Sequence, residues 1–184
     1  SVFATEYFVD ANRPNNDGDG KSEATAKRTI QAAIDLATQS GDIVTVLPGV
    51  YTEGGDEYVA SSDAYKNKGF SRVCIKRSGI TLRSRDGRDV THIVGQKATE
   101  PQHTSGMGTD AVRCVYVANI TDTGTVRIEG FTIRDGYTRY DAKPDTTALG
   151  AEVPQNKGGG VCYRGDTSPD ATKVFVVDCV ITNC

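Results

Sequence analysis

The sequence predicts an all-β solenoid opened by a single capping α-helix, on three observations. Val and Ile total 29 against 4 Leu, and Thr adds 21, so side chains that suit a pleated surface outnumber those that suit a helix. Short apolar runs are divided by Gly, Asp, Asn and Pro from Gly41 onward. Two of these runs superpose at a constant offset of 48: Val126, Ile128, Phe131, Ile133 and Asp135 match Val174, Val176, Cys179, Ile181 and Asn183. An internal repeat of short strand pairs is the sequence sign of stacked coils.

The elements follow in order. Residues 1–6 read as a signal remnant or a disordered start, because small residues stand near Ser1. Residues 7–41 hold a short strand at Tyr7 to Val9, a dense Asx/Gly turn over 12–20 and the helix. Ile30, Ala33, Ile34 and Ala37 fall on one helical face, with Thr29 as N-cap and Gly41 as the stop. That helix is expected to lid the first coil, whose open edge otherwise invites aggregation. Residues 42–184 are the coils, with alternating runs at 43–47, 72–76, 79–84, 90–94, 112–117, 125–134, 161–163 and 173–182. A polar loop excursion is expected near 136–158, ending at Gly158-Gly159-Gly160. The offset is read as two coils, since a repeat takes ~20–45 residues, which gives roughly half a dozen coils. The strand-like run that stops at Cys184 predicts a chain truncated there, with further coils beyond.

Charge and cysteines narrow the function classes. Lys plus Arg is 21 and Asp plus Glu 24, a net charge of −3, which argues against binding nucleic acid through bulk positive charge. No apolar run is long enough to span a bilayer. Five Cys, an odd number, do not make a closed disulfide framework. With no Cys-x-x-Cys and only His92 and His103, zinc is not expected. The cysteines read as small buried apolar residues, with a Cys179–Cys184 link as the alternative.

Several segments carry a resemblance. Tyr7-Phe8-Val9-Asp10-Ala11, the Asn/Asp/Gly turn, Thr29-Ile30-Gln31-Ala32-Ala33-Ile34, Gly41-Asp42 and Pro48-Gly49-Val50-Tyr51-Thr52-Glu53 resemble the N-terminal segment of right-handed parallel β-helix proteins of the pectin-lyase-like superfamily. Arg113-Cys114-Val115-Tyr116, Gly130-Phe131-Thr132-Ile133, Gly158-Gly159-Gly160-Val161 and 178–184 are similar to repeats of secreted bacterial β-helix proteins of the choice-of-anchor type. The resemblance implies a right-handed parallel β-helix and a secreted or cell-surface setting. It leaves function open, because the superfamily holds lyases, hydrolases, esterases, adhesins and phage spikes. The Arg-x-Pro-x-x-Arg setting of its pectate lyases does not occur in the sequence, nor do the Asn-Thr-Asp and Gly-His-Gly blocks of its polygalacturonase-like hydrolases. Gly49-x-Tyr51-x-Glu53 has the spelling seen in its methylesterases, but the later catalytic blocks are missing, so it reads as the turn after the first coil.

Three groups are candidates for a site. Asn15, Asp17, Asp19 and Gly20 copy the opening of a calcium loop. The twelfth position, which should be a bidentate Glu, is Ala26, and a plain Asx turn is the preferred reading. Arg83, Arg85, Arg127 and Arg134 alternate outward on their runs, and guanidinium forks bind carboxylates and sulfates. An acidic glycan is therefore a candidate ligand for them, while a solvated outer face neutralised by Asp86, Asp89 and Glu129 is the preferred reading. Asp135 and Asn183 occupy equivalent turns and read as a structural ladder. Tyr51, Tyr58, Tyr65, Tyr137, Tyr140 and Tyr163 are weaker candidates for stacking sugars. No catalytic residue is assigned and no cofactor is required, calcium being the one ion considered. The expected function is a bacterial secreted or cell-surface scaffold, adhesin-like. Its partners would be extracellular or cell-surface polysaccharide and the remaining coils of its own chain. The alternative is the N-terminal part of a polysaccharide lyase or glycoside hydrolase with its catalytic residues on later coils.

Overall fold

A computed structural model describes residues 4–59, 68–99, 106–118, 120, 123–139, 159–164 and 172–184. β1 (Glu6–Val9) leads through the Asx-rich turn and a 3-10 turn (Glu23–Thr25) to α1 (Ile30–Leu36). The strands that follow are β2 (Ile43–Val46), β3 (Gly49–Tyr51), β4 (Asp56–Val59), β5 (Lys68–Ile75), β6 (Thr81–Ser84) and β7 (Thr91–Val94). After them come β8 (Arg113–Ala118), β9 (Thr125–Glu129), β10 (Thr132–Arg134), β11 (Val161–Arg164), β12 (Lys173–Val177) and β13 (Val180–Thr182). They form three sheets, ordered β1-β2-β6-β9-β12, β3-β7-β10-β13 and β4-β5-β8-β11. The pairings are parallel except that of β4 with β5, which is antiparallel. No helix among the described residues is long and apolar enough to cross a membrane.

The expected all-β solenoid, a right-handed parallel β-helix with a capping helix, is therefore corrected to three mostly parallel sheets with one helix, an arrangement compatible with an α/β class. Two features that the sequence reading missed lie behind the difference. The first is the antiparallel β4–β5 pair, whose polar Asp56 and Glu57 gave no alternating apolar signal. The second is the role of α1. Ile30, Ala33, Ile34 and Ala37 join one core with residues of all three sheets. Gln31 is buried, its Oε1 accepts the Cys74 N–H at 2.7 Å, and its Nε2 donates to Cys74 O at 3.3 Å. A buried amide satisfied in both directions fixes the helix to β5 as part of the body of the fold.

The helix start was legible. Thr29 is the N-cap, and its Oγ1 accepts the Ala32 N–H at 3.4 Å. Asn16 Oδ1 accepts the N–H groups of Arg28 and Thr29 at 2.8 and 3.0 Å, which ties the Asx turn to the helix. The stop differs: α1 ends at the Ala37 C-cap, and Gly41, at φ 98°, instead donates its N–H to Gly79 O at 2.7 Å.

The repeat is also corrected. β9 pairs directly with β12, Val126 opposite Val174, and β10 pairs with β13, Ile133 opposite Ile181. The offset of 48 is thus one step between neighbouring strands, not two. Among the described residues the sheets hold five, four and four strands, where half a dozen coils were expected. The step is long because it contains the expected excursion at 136–158, of which residues 140–158 lie outside the described residues. The runs 125–134 and 173–182 each break into two strands, at Gly130 (φ 77°) and Asp178 (φ 49°). β3 replaces the turn expected at Gly49 to Tyr51, and β1 begins inside the stretch read as leader or disorder, where Thr5 N–H donates to Asp42 Oδ1 at 2.8 Å.

Candidate functional site

The alternation of the first sheet decides which side chains face out. Val44, Val46, Leu82, Val126 and Ile128 are fully buried in the core, so Thr45, Arg83, Arg127 and Glu129 stand on the opposite face. Register places Thr45 beside Arg83 and Arg83 beside Glu129. Arg83 Nε donates to Thr45 Oγ1 at 3.0 Å, and Arg83 Nη2 reaches Glu6 Oε1 at 2.8 Å. The Thr45 hydroxyl donates to the same Glu6 oxygen. Arg127 Nε donates to Glu129 Oε2 at 2.8 Å. The Thr45 hydroxyl does most to hold the Glu6 carboxyl below its usual range; burial opposes it, and Arg83 adds a smaller downward pull. Arg127 does the same for Glu129, with Arg83 adding to it. Two arginines and two glutamates thus neutralise one another across β1, β6 and β9, with Thr45 of β2 between them.

The other two arginines do not share that face. Arg85 lies past the end of β6 and forks between Glu23 and Asp86, at 2.8 Å each. Arg134 is on β10, in the second sheet, where it pairs with Asp135 and points Nε at His92 Nδ1, 3.5 Å away. All four guanidinium groups therefore have a carboxylate partner within the chain. Asp86 and Glu129 do neutralise arginines, as the sequence reading held, but no arginine pairs with Asp89 among the ion pairs of the described residues.

The Asx turn is closed on itself. Asn15 Oδ1 accepts the Asp17 N–H at 3.1 Å, and Asn15 Nδ2 donates to Asp17 Oδ2 at 2.7 Å. Asp19 Oδ1 accepts the Thr25 hydroxyl at 2.6 Å and the Lys21 N–H at 3.0 Å, and these two bonds hold its carboxyl below the usual range. Among the described residues no three His, Cys, Asp or Glu side chains gather as metal ligands. Asn183 Nδ2 donates to Asp135 Oδ1, so the two ladder residues do touch, both at positive φ.

The tyrosine platforms divide. Tyr51 and Tyr58 are buried, with Tyr51 donating to Leu47 O at 2.8 Å, and burial pushes both phenols up. Tyr163 is exposed, while Tyr65 and Tyr140 lie outside the described residues. All five cysteines are free, so the Cys179–Cys184 alternative is not formed.

One cluster escaped the sequence reading altogether. Tyr58 of β4 stacks on Tyr116 of β8 with centroids 3.7 Å apart, and the guanidinium of fully buried Arg113 lies 5.1 and 5.5 Å from the two rings. Register sets Cys74, Tyr116 and Cys162 side by side across the third sheet. Burial pushes the Cys74 thiol up to about 12, which keeps it protonated and unreactive. The rings and the thiol make a small second core, with the Arg113 cation beside it. Sequence alternation missed it because Arg113 reads as an outward charge. Nor did any signal single out Arg72, whose Nε and Nη1 donate to Val94 O and Gly54 O at 3.0 and 2.9 Å.

No family model, no curated protein and no solved structure matches this chain. The likeness of its segments to pectin-lyase-like proteins rests on those residues alone.

Proposed function

We propose that this chain is a rigid scaffold in a secreted or cell-surface setting, adhesin-like, whose arginine-bearing wall takes acidic polysaccharide. The observation that carries the reading is the cross-strand network of Glu6, Thr45, Arg83, Glu129 and Arg127. Its polar groups are spent on fastening neighbouring strands, as a stiff surface needs. The carboxylates with a resolved shift (Glu6, Asp19, Asp110 and Glu129) are all held low, as paired acids are, whereas a general acid is held high. A uronate or sulfate would compete with Glu6 and Glu129 for the same forks, so binding is expected to be weak and salt-sensitive.

The test uses polygalacturonate and a sulfated glycan, each with and without calcium. Binding should appear at low salt, fall several-fold in the Arg83→Ala/Arg127→Ala double variant, and be accompanied by no release of reducing ends or unsaturated uronate. Turnover would overturn the scaffold, and undiminished binding by the double variant would overturn the ligand assignment. A chelator should leave the melting temperature unchanged, because Asn15, Asp17 and Asp19 are each bonded by neighbouring residues of the same segment; a fall that is lost in Asp17→Ala/Asp19→Ala would place a divalent ion at that turn.

A further inference from the structure

Five of the seven large apolar or aromatic side chains that stand exposed among the described residues lie on β11, β12 and β13, each the last strand of its sheet. They are Tyr163, Phe175, Val176, Val180 and Ile181. Ile128 and Ile133, paired with Val176 and Ile181 one strand further in, are fully buried. The apolar interior thus runs out to this end of the sheets. Backbone groups mark an open edge beside it. Lys173 donates its N–H to Gly124 O at 2.9 Å, and Val177 O accepts the Gly130 N–H at 3.1 Å, both towards β9. Successive residues of a strand point their backbone groups to opposite sides, so Val174 and Val176 turn theirs away from β9.

We propose that this edge is a self-association surface, where a second copy of the chain docks tail to tail and the two β12 strands pair antiparallel about a two-fold axis. The register is set by the groups on the edge. Val176 of one copy stands opposite Val176 of the other, so the backbone groups turned away from β9 meet each other. Phe175 then stands opposite Val177 on the outer face, and inward side chains stay inward in both copies. Val174 of each copy comes opposite Asp178 of the other, one residue from Lys173. Asp178 is exposed, and Lys173 forms no ion pair among the described residues, so the two ends of the strand are complementary in charge.

The other end of the same sheet rules out head-to-tail stacking of these strands. That arrangement would bring β12 to the outer side of β1, where the backbone is already bonded. Phe8 N–H donates to Gly20 O at 2.7 Å, Phe8 O accepts the Lys27 N–H at 2.9 Å, and Asp10 N–H donates to Lys27 O at 2.8 Å. The Asx turn and the segment after it therefore close the first edge, while the last edge stays open. A two-fold contact uses the open edge of both copies and ends at two chains. The paired strands are short, so the interface is small and association weak. The dilute chain is monomeric, and its unfolding reads the uncovered strands.

The experiment follows the chain, kept reduced, by sedimentation and hydrogen exchange from roughly 10 µM to 1 mM. The average mass should rise from one chain towards two and go no further, and the Val174 and Val176 amides should gain protection as it rises. Val176→Lys sets two like charges face to face on the axis and should weaken association about ten-fold. Lys173→Glu, at an exposed position, should weaken it about three-fold by facing Asp178 with a like charge. Val50→Lys changes an exposed apolar residue on β3, away from the surface, and should behave like the parent. A chain that stays monomeric throughout, or a mass that climbs past two chains, would overturn the proposal. So would association unmoved by Val176→Lys and Lys173→Glu, or weakened as much by Val50→Lys.

Discussion

Residues 126–135 and 174–183 share one pattern and differ in what covers them. Val126, Ile128 and Ile133 are 0% exposed, whereas Val176 and Ile181, in equivalent places, are 41% and 50% exposed. β9 and β10 have neighbours on both sides, while β12 and β13 stand last in their sheets. An alternating run therefore fixes the direction of a side chain, and the strand stacked on top fixes whether that side chain is buried. The hydrophobic effect acts on area removed from water, so identical letters contribute unequally.

The largest expected effect breaks this comparison most directly. Ile128→Ala empties a closed site and should cost about 2–5 kcal/mol. Ile181→Ala removes atoms that are already half in water and should cost under about 1 kcal/mol. Urea unfolding midpoints of the two variants measure the gap. Equal costs would mean that β13 is covered in solution, and the contrast between the two regions would disappear.

A smaller effect tests the corners. Gly130 and Asp178 both turn the chain at positive φ, 77° and 49°. A Cβ on Gly130 would meet Ser84 Cβ at 3.4 Å and Gly87 Cα at 3.7 Å, so space is adequate and the left-handed backbone sets the cost. Gly130→Ala should lose about 1–2 kcal/mol. Asp178→Gly relieves the same strain but gives up an exposed ion pair with Arg88, and should stay within about 0.5 kcal/mol of the parent. A large loss from Asp178→Gly would show that the pair with Arg88, not backbone conformation, holds the second corner.

These corners also mark how far the sequence could be read. Most of the strands and the Thr29 cap were legible, because period-two alternation and a capping hydroxyl are local signals. The antiparallel β4 was not, since Asp56 and Glu57 hide a strand that is defined by its partner β5. The site was half legible. Alternation put Arg83 and Arg127 on one face, but it could not show that Glu6, far away in sequence, closes over Arg83. Nor could it show that Arg113 turns inward beside the stacked rings of Tyr58 and Tyr116. Each of these depends on which strand lies beside which.

The smallest effect uses the same two regions on their outer face. Register puts Phe175 beside Arg127 and Val177 beside Glu129, so the ion-pair network stops at β9 and an apolar face begins at β12. Glu6 and Glu129 titrate below their ordinary value of 4.5 in the folded chain. Carboxyls with depressed folded values add stability that is fully present above the unfolded value and is lost as pH falls through the folded one. Melting temperature should therefore fall between about pH 5 and pH 3, partly through these two groups. Removing both cations, in Arg83→Ala/Arg127→Ala, should shrink that fall by only about 1–2 °C, because exposed pairs contribute little. Asp19 and Asp110 are also held low and titrate in parent and variant alike, so the difference between the two curves isolates the wall. Superimposable curves would mean that the two arginines contribute nothing to stability. The first sheet would then owe its order to the core beneath it, as β12 must with Phe175 and Val177 on its outer face.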